Sequence, residues 1–204
     1  LDRRRYHGMS GGDAMRGFDD APSVRALIER RAAATPDRVM LHEGDRVTTF
    51  GEYAAMVDRA AAGLHAMGIG EGDHVSWQLP TWTESAVLVG ALCRLGAVQN
   101  PIYRYREVSF IAAQTGCKLL VTPSSWGGFD YAGLASQVAG EQAGLETLVA
   151  DRTNPDADPA TLPAPPADVD DPATAPVRWI FYTSGTTGAP KGAQHTDRSA
   201  LAGA

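Results

Sequence analysis

The chain has 204 residues, 44% of them hydrophobic and 21% charged, with a net charge of -6 at neutral pH, a composition that supports a packed globular core. The acidic balance argues against a nucleic-acid surface, which rests on clustered Lys and Arg, and no run of about eighteen apolar residues is present to span a membrane. The two cysteines, Cys93 and Cys117, lie in apolar segments and read as buried free thiols, so no disulfide framework is needed and a cytoplasmic setting is expected.

Residues 1–20 are polar and Gly-rich and read as a loose lead-in, with Arg3–Arg5 as a solvated tail. An α/β region is expected over residues 21–150. Pro22 and Ser23 offer a helix start, with Val24, Leu27, Ile28 and Arg31 on one face and Pro36 as the stop. Val39–His42 and Arg46–Thr48 read as a hairpin turned at Glu43-Gly44-Asp45. Thr49 with Glu52 forms a capping box, opening a helix whose apolar stripe runs through Tyr53, Val57, Ala61 and Leu64 to a stop at Gly68.

Strands and helices then alternate. Val75, Trp77 and Leu79 mark a strand, Thr83–Leu95 a helix ended by Gly96, and Val98–Ile102 a strand. Glu107–Thr115 reads as a helix ended by Gly116, Leu119–Thr122 as a strand, Tyr131–Gly140 as a helix and Leu145–Ala150 as a strand. This order predicts the α/β class, a parallel sheet flanked by helices. Residues 151–176 carry seven of the thirteen prolines and read as a linker or long surface loop of polyproline character. The last region, 177–204, opens on a buried strand, Val177–Tyr182.

After that strand comes Thr183-Ser184-Gly185-Thr186-Thr187-Gly188-Ala189-Pro190-Lys191-Gly192, and then a helix expected from Thr196 or Asp197. Between a strand and a helix, backbone N–H groups can converge on an anion. Gly185, Gly188 and Gly192 let the backbone approach a phosphate and permit positive φ, while Thr183, Ser184, Thr186 and Thr187 supply hydroxyl donors. Lys191 adds a mobile cation and Pro190 stiffens the chain before it. The spacing is not that of a Walker A loop: two residues separate Gly185 from Gly188, and Gly192 stands where a metal-binding hydroxyl is required.

The run Tyr182–Gly192 resembles instead the signature [YF]-T-S-G-[ST]-T-G-x-P-K-G of the adenylate-forming superfamily. Thr48–Leu64, Gly70–Val75 and Leu95–Pro101 resemble upstream segments of the same family, so the likeness spans Ser23 to Ala204. Gln78–Trp82 and Tyr103–Val108 are most similar to the cyclohexanecarboxylate and medium-chain fatty acid CoA ligase group, with a span between Pro101 and Glu107 shorter than that group carries. Asp197 departs from the family, many members of which have His there, and His195 reads as a solvent-side loop residue.

The resemblance implies activation of a carboxylic acid with ATP, giving acyl-AMP and pyrophosphate, followed by thioester formation with coenzyme A. It implies Thr183, Ser184, Gly185, Thr186, Thr187, Gly188 and Lys191 as phosphate-binding residues, Lys191 as the catalytic cation and Thr183 as the contact near Mg²⁺. Two other readings remain open: an adenylation domain loading a carrier protein, and a non-catalytic nucleotide-binding module. The chain opens on Leu1 and stops at Ala204 within an incipient helix, so an N-terminal fragment is expected. In the family the adenosine contacts, a metal-binding Glu and the lysine facing the carboxylate come later in the chain, so this length is not expected to complete the reaction alone.

Overall fold

The computed structural model describes residues 20–103, 107–183 and 190–202. Ser23 starts α1 (Val24–Ala34) by accepting the Ala26 N–H on its hydroxyl. An antiparallel hairpin follows, β1 (Val39–Glu43) and β2 (Arg46–Thr49). It turns at Gly44, whose φ of +58° suits glycine. The expected capping box heads α2 (Phe50–Ala66): Thr49 accepts from the Glu52 N–H and Glu52 from the Thr49 N–H.

The alternation predicted from the sequence is present. It runs β3 (His74–Trp77), α3 (Thr83–Leu95), β4 (Val98–Pro101), α4 (Val108–Thr115) and β5 (Leu119–Thr122). A small hairpin, β6 (Ser125–Trp126) and β7 (Phe129–Asp130), precedes α5 (Tyr131–Glu141) and β8 (Glu146–Val149). The last elements are β9 (Trp179–Thr183), β10 (Lys191–His195) and α6 (Asp197–Ala202). Six strands form one sheet in the order β10-β9-β4-β3-β5-β8, parallel throughout except for β10, which runs antiparallel at the edge.

Because a parallel strand has helices on both sides, two cores form. On one face Val75, Leu119 and Val121 pack with Tyr53, Leu64 and Leu88 from α2 and α3. On the other, Leu120 packs with Val108, Ile111 and Val138 from α4 and α5. Cys93 and Cys117 are buried free thiols, as expected, and burial pushes both above the ordinary thiol range.

The segment 151–176 crosses the α1–α2–α3 side as a strap with one short 3-10 turn, Pro159–Thr161. It is tied down along its length. Asn154 donates to the Glu84 carbonyl, the Ala157 N–H to the Arg59 carbonyl, and Arg94 to the Pro163 carbonyl. Asp168 accepts from the Ser23 hydroxyl at 2.6 Å and from Arg25 at 2.7 Å.

The β1–β2 hairpin is docked by ions. Glu43 accepts from the Thr83 N–H, the Thr83 hydroxyl and Arg152, while Arg46 pairs with the buried Glu84. The Thr83 donors and then Arg152 hold the Glu43 carboxyl down, from an ordinary 4.5 to about 2. A depressed carboxyl stabilises the fold above its unfolded value, and that contribution is lost as pH falls through the folded one. Unfolding of Glu43→Gln and of the unsubstituted chain should therefore differ near neutrality and converge between pH 4.5 and about 2. A gap that stays constant across that window would remove Glu43 as the source.

Candidate functional site

The parallel strands all end on one rim, and in open α/β sheets ligands bind outside the carboxyl ends of strands. β9 reaches this rim from a buried base. Arg178, Trp179 and Ile180 are buried, Phe181 and Tyr182 are half-buried, and Thr183 is exposed. Burial pushes the Tyr182 phenol up, so it stays protonated, and it donates to Gln114 Oε1 at 2.6 Å.

Of the residues expected to bind phosphate, Ser184, Gly185, Thr186, Thr187 and Gly188 lie outside the described residues. Thr183 and Lys191 are described, and the fold brings them together. They are register partners across the β9–β10 hairpin, Thr183 opposite Lys191, both solvent-facing. Among the described residues Lys191 has no ion-pair partner. A hydroxyl and a cation thus flank the neck of the loop, an arrangement open to an anion.

Three sequence expectations change here. The helix starts at Asp197 as expected, but the chain reaches it through a strand the sequence reading did not include, β10. The strands on either side of residues 184–189 pair antiparallel, so the N-terminus of α6 does not adjoin Gly192. Gly192 lies in β10 without positive φ, and its lack of a side chain serves packing. A Cβ there would come within 2.9 Å of an Ile180 methyl and 3.0 Å of the Tyr182 ring. His195 is the last residue of β10 rather than a loop residue, its ring edge-on to Phe181 at 5.5 Å.

The sequence reading also missed the mount of the hairpin. Arg178 donates to the Gly96 carbonyl and pairs with Glu71 at 2.8 Å, and its N–H donates to the His195 carbonyl. Asp197 accepts from the Trp179 indole N–H at 2.8 Å. A usable signal existed for β10. Lys191–His195 has no helical apolar period, and Thr196, a capping residue, follows it.

Among the described residues no group of three or more His, Cys, Asp or Glu is placed to hold an ion. A cation carried on phosphate oxygens needs fewer protein ligands, and the exposed Thr183 hydroxyl fits that demand. Also among the described residues, no helix is long and apolar enough to cross a membrane.

A family model described as "AMP-binding enzyme" matches residues 28–204. The chain is 32% identical over 192 residues to the salicyl-AMP ligase / salicyl-S-ArCP synthetase of Mycobacterium tuberculosis, covering 86% of this chain and 33% of that protein. It is 34% identical over 194 residues to the sulfoacetate–CoA ligase of Cupriavidus necator, covering 88% and 36%. Among solved structures, o-succinylbenzoate coenzyme A synthetase from Bacillus subtilis in complex with AMP aligns with a TM-score of 0.63 at 27% identity, covering 83% of this chain and 41% of that one. The chain spans about a third of the length of the curated relatives it matches.

Proposed function

We propose a role in acid activation from one premise: the chain belongs to the AMP-binding enzyme family. In this role a carboxylate attacks ATP to give acyl-AMP and pyrophosphate, and the thiol of coenzyme A then displaces AMP from the acyl group to form a thioester. The β9–β10 hairpin holds the departing pyrophosphate. The observation that carries the reading is the register pair Thr183–Lys191, which closes a loop of glycines and hydroxyl residues at the carboxyl rim of the sheet.

Expulsion of pyrophosphate gathers negative charge, so the residues that hold it act by position and electrostatics. Lys191 is placed to neutralise a phosphate oxygen as a point charge. Thr183 and the hydroxyls of Ser184, Thr186 and Thr187 are proposed as donors, and Gly185 and Gly188 as the positions where the backbone comes closest. Thr183 is the residue that would hold Mg²⁺, which would supply charge neutralisation to the phosphates. Buried free Cys93 and Cys117 accord with a reducing, cytoplasmic setting.

Binding is the step that tests these residues directly. Titration of ATP and of pyrophosphate, each with Mg²⁺, into the chain and into Lys191→Ala should show a loss of about tenfold or more in the variant, the scale of a hydrogen bond to a charged group. Equal binding by the two proteins would defeat the assignment.

A further inference from the structure

The hairpin that carries Thr183 and Lys191 is held at its base through β4 and nearer its tip by Tyr182, whose hydroxyl donates to Gln114. Among the described residues β4 and β9 share a single register pair, Gln99 with Trp179, reinforced by the Gln99 N–H donating to the Arg178 carbonyl. From Trp179 to Thr183 the strand runs four residues, about 13 Å at 3.3 Å per residue. β10 gives no further support from outside, because it is the edge of the sheet. A tilt of about 5° at the base would carry the tip through about 1 Å, a displacement that can cost a reacting site about a hundredfold.

One side chain closes that base across both strands. Asp197 follows β10, yet its carboxylate accepts the indole N–H of Trp179 on β9 at 2.8 Å. Trp179 is itself held flat, stacked on Phe181 with centroids 5.8 Å apart. Asp197 is half-buried, and desolvation raises its pKa against the opposing effects of the Trp179 hydrogen bond, Arg178 and the Val24 backbone N–H, with Asp168 adding a like charge. Cys93, also nearby, feels the Asp197 charge.

The geometry points to Asp197 as a positioning residue: through its bond to the Trp179 indole it sets the lean of the β9–β10 hairpin and so the placement of Thr183 and Lys191. This rests on the phosphate-binding reading above. Asp197 touches no ligand in this role. It acts by removing one degree of freedom from the mount, while Tyr182 and Gln114 brace the opposite face.

The test is a double-mutant cycle read in ligand affinity. Asp197→Ala, Trp179→Phe and the double variant are titrated with ATP and with pyrophosphate, each with Mg²⁺, at a temperature where melting curves show every protein folded. Each single variant is expected to bind about tenfold more weakly, and the double variant no more weakly than either single one, because both remove the same bond. Asp197→Asn keeps an oxygen acceptor for the indole N–H and is expected to bind within about twofold of the unsubstituted chain.

Folded Asp197→Ala or Trp179→Phe that binds as the unsubstituted chain does would overturn the assignment, as would additive losses in the cycle or failure of Asp197→Asn to restore affinity. If one single variant does not fold, the other together with Asp197→Asn decides. Absence of binding by the unsubstituted chain, or indifference to Lys191→Ala, would instead sink the phosphate-binding reading and this proposal with it.

Discussion

Replacing Leu88 by alanine is expected to destabilise the protein by about 2–5 kcal/mol, toward the upper end of that range. Leu88 is fully buried in the core between α3, α2 and the sheet. Its surroundings cannot close over the lost volume. Gly90 lets α3 approach α2 so closely that a Cβ there would lie 2.5 Å from a Val57 methyl and 2.7 Å from the Tyr53 hydroxyl. That hydroxyl is itself fixed, donating to the Ala86 carbonyl at 2.8 Å. A cavity bounded by interlocked helices stays open, and its cost adds to the lost transfer energy. For a chain of this size the melting temperature should fall by roughly 2–4 °C per kcal/mol. A loss below about 1 kcal/mol in denaturant unfolding would mean that α2 and α3 repack freely.

The second large effect is expected at Gly63, where α2 meets the strap. A Cβ at this position would stand 2.5 Å from the Pro155 carbonyl carbon and 2.6 Å from the Asp156 nitrogen. Both obstacles are backbone atoms, so neither can turn aside as a side chain would. Alanine gains about 1 kcal/mol of helix propensity over glycine, while forcing an atom into a packed contact costs about 1–3 kcal/mol. Gly63→Ala should therefore be mildly destabilising and Gly63→Val clearly so, since valine adds two methyls to the same contact and is a poorer helix former. The displaced strap should also be cut faster by protease between residues 151 and 176, because its hydrogen bonds to Arg59, Glu84 and Arg94 would be strained together. A Gly63→Val protein that melts and digests like the unsubstituted chain would show that the strap is not seated on α2.

Much of the architecture was legible because it is specified locally. The Thr49–Glu52 capping box and the stops at Gly96 and Gly116 each rest on a few adjacent residues, and all three are found where expected. The strap's seating was not legible. Its proline content reads the same for a free linker and for a bound one, and the close approach of Gly63 to Pro155 joins residues far apart in sequence. β10 escaped for another reason. It is short, exposed and on the sheet edge, so it carries neither the apolar run of a central strand nor a clean alternation. At the candidate site the residue types were legible in Thr183 and Lys191, whereas their pairing across a hairpin needed the register. Asp197 looked like a departure from a pattern, and its partners, the Trp179 indole and the Val24 backbone N–H, come from elsewhere in the chain.

The single register pair between β4 and β9 also bears on the order in which the molecule comes together. β3, α3 and β4 adjoin in the chain, and only the small β6–β7 hairpin separates β5 from α5 and β8, so their contacts close short loops. Gln99 and Trp179 can meet only after the whole intervening chain has been gathered in, and loop-closure entropy makes such non-local pairing slow. The hairpin is thus expected to join the sheet late, with the strap as the tether that makes that encounter intramolecular.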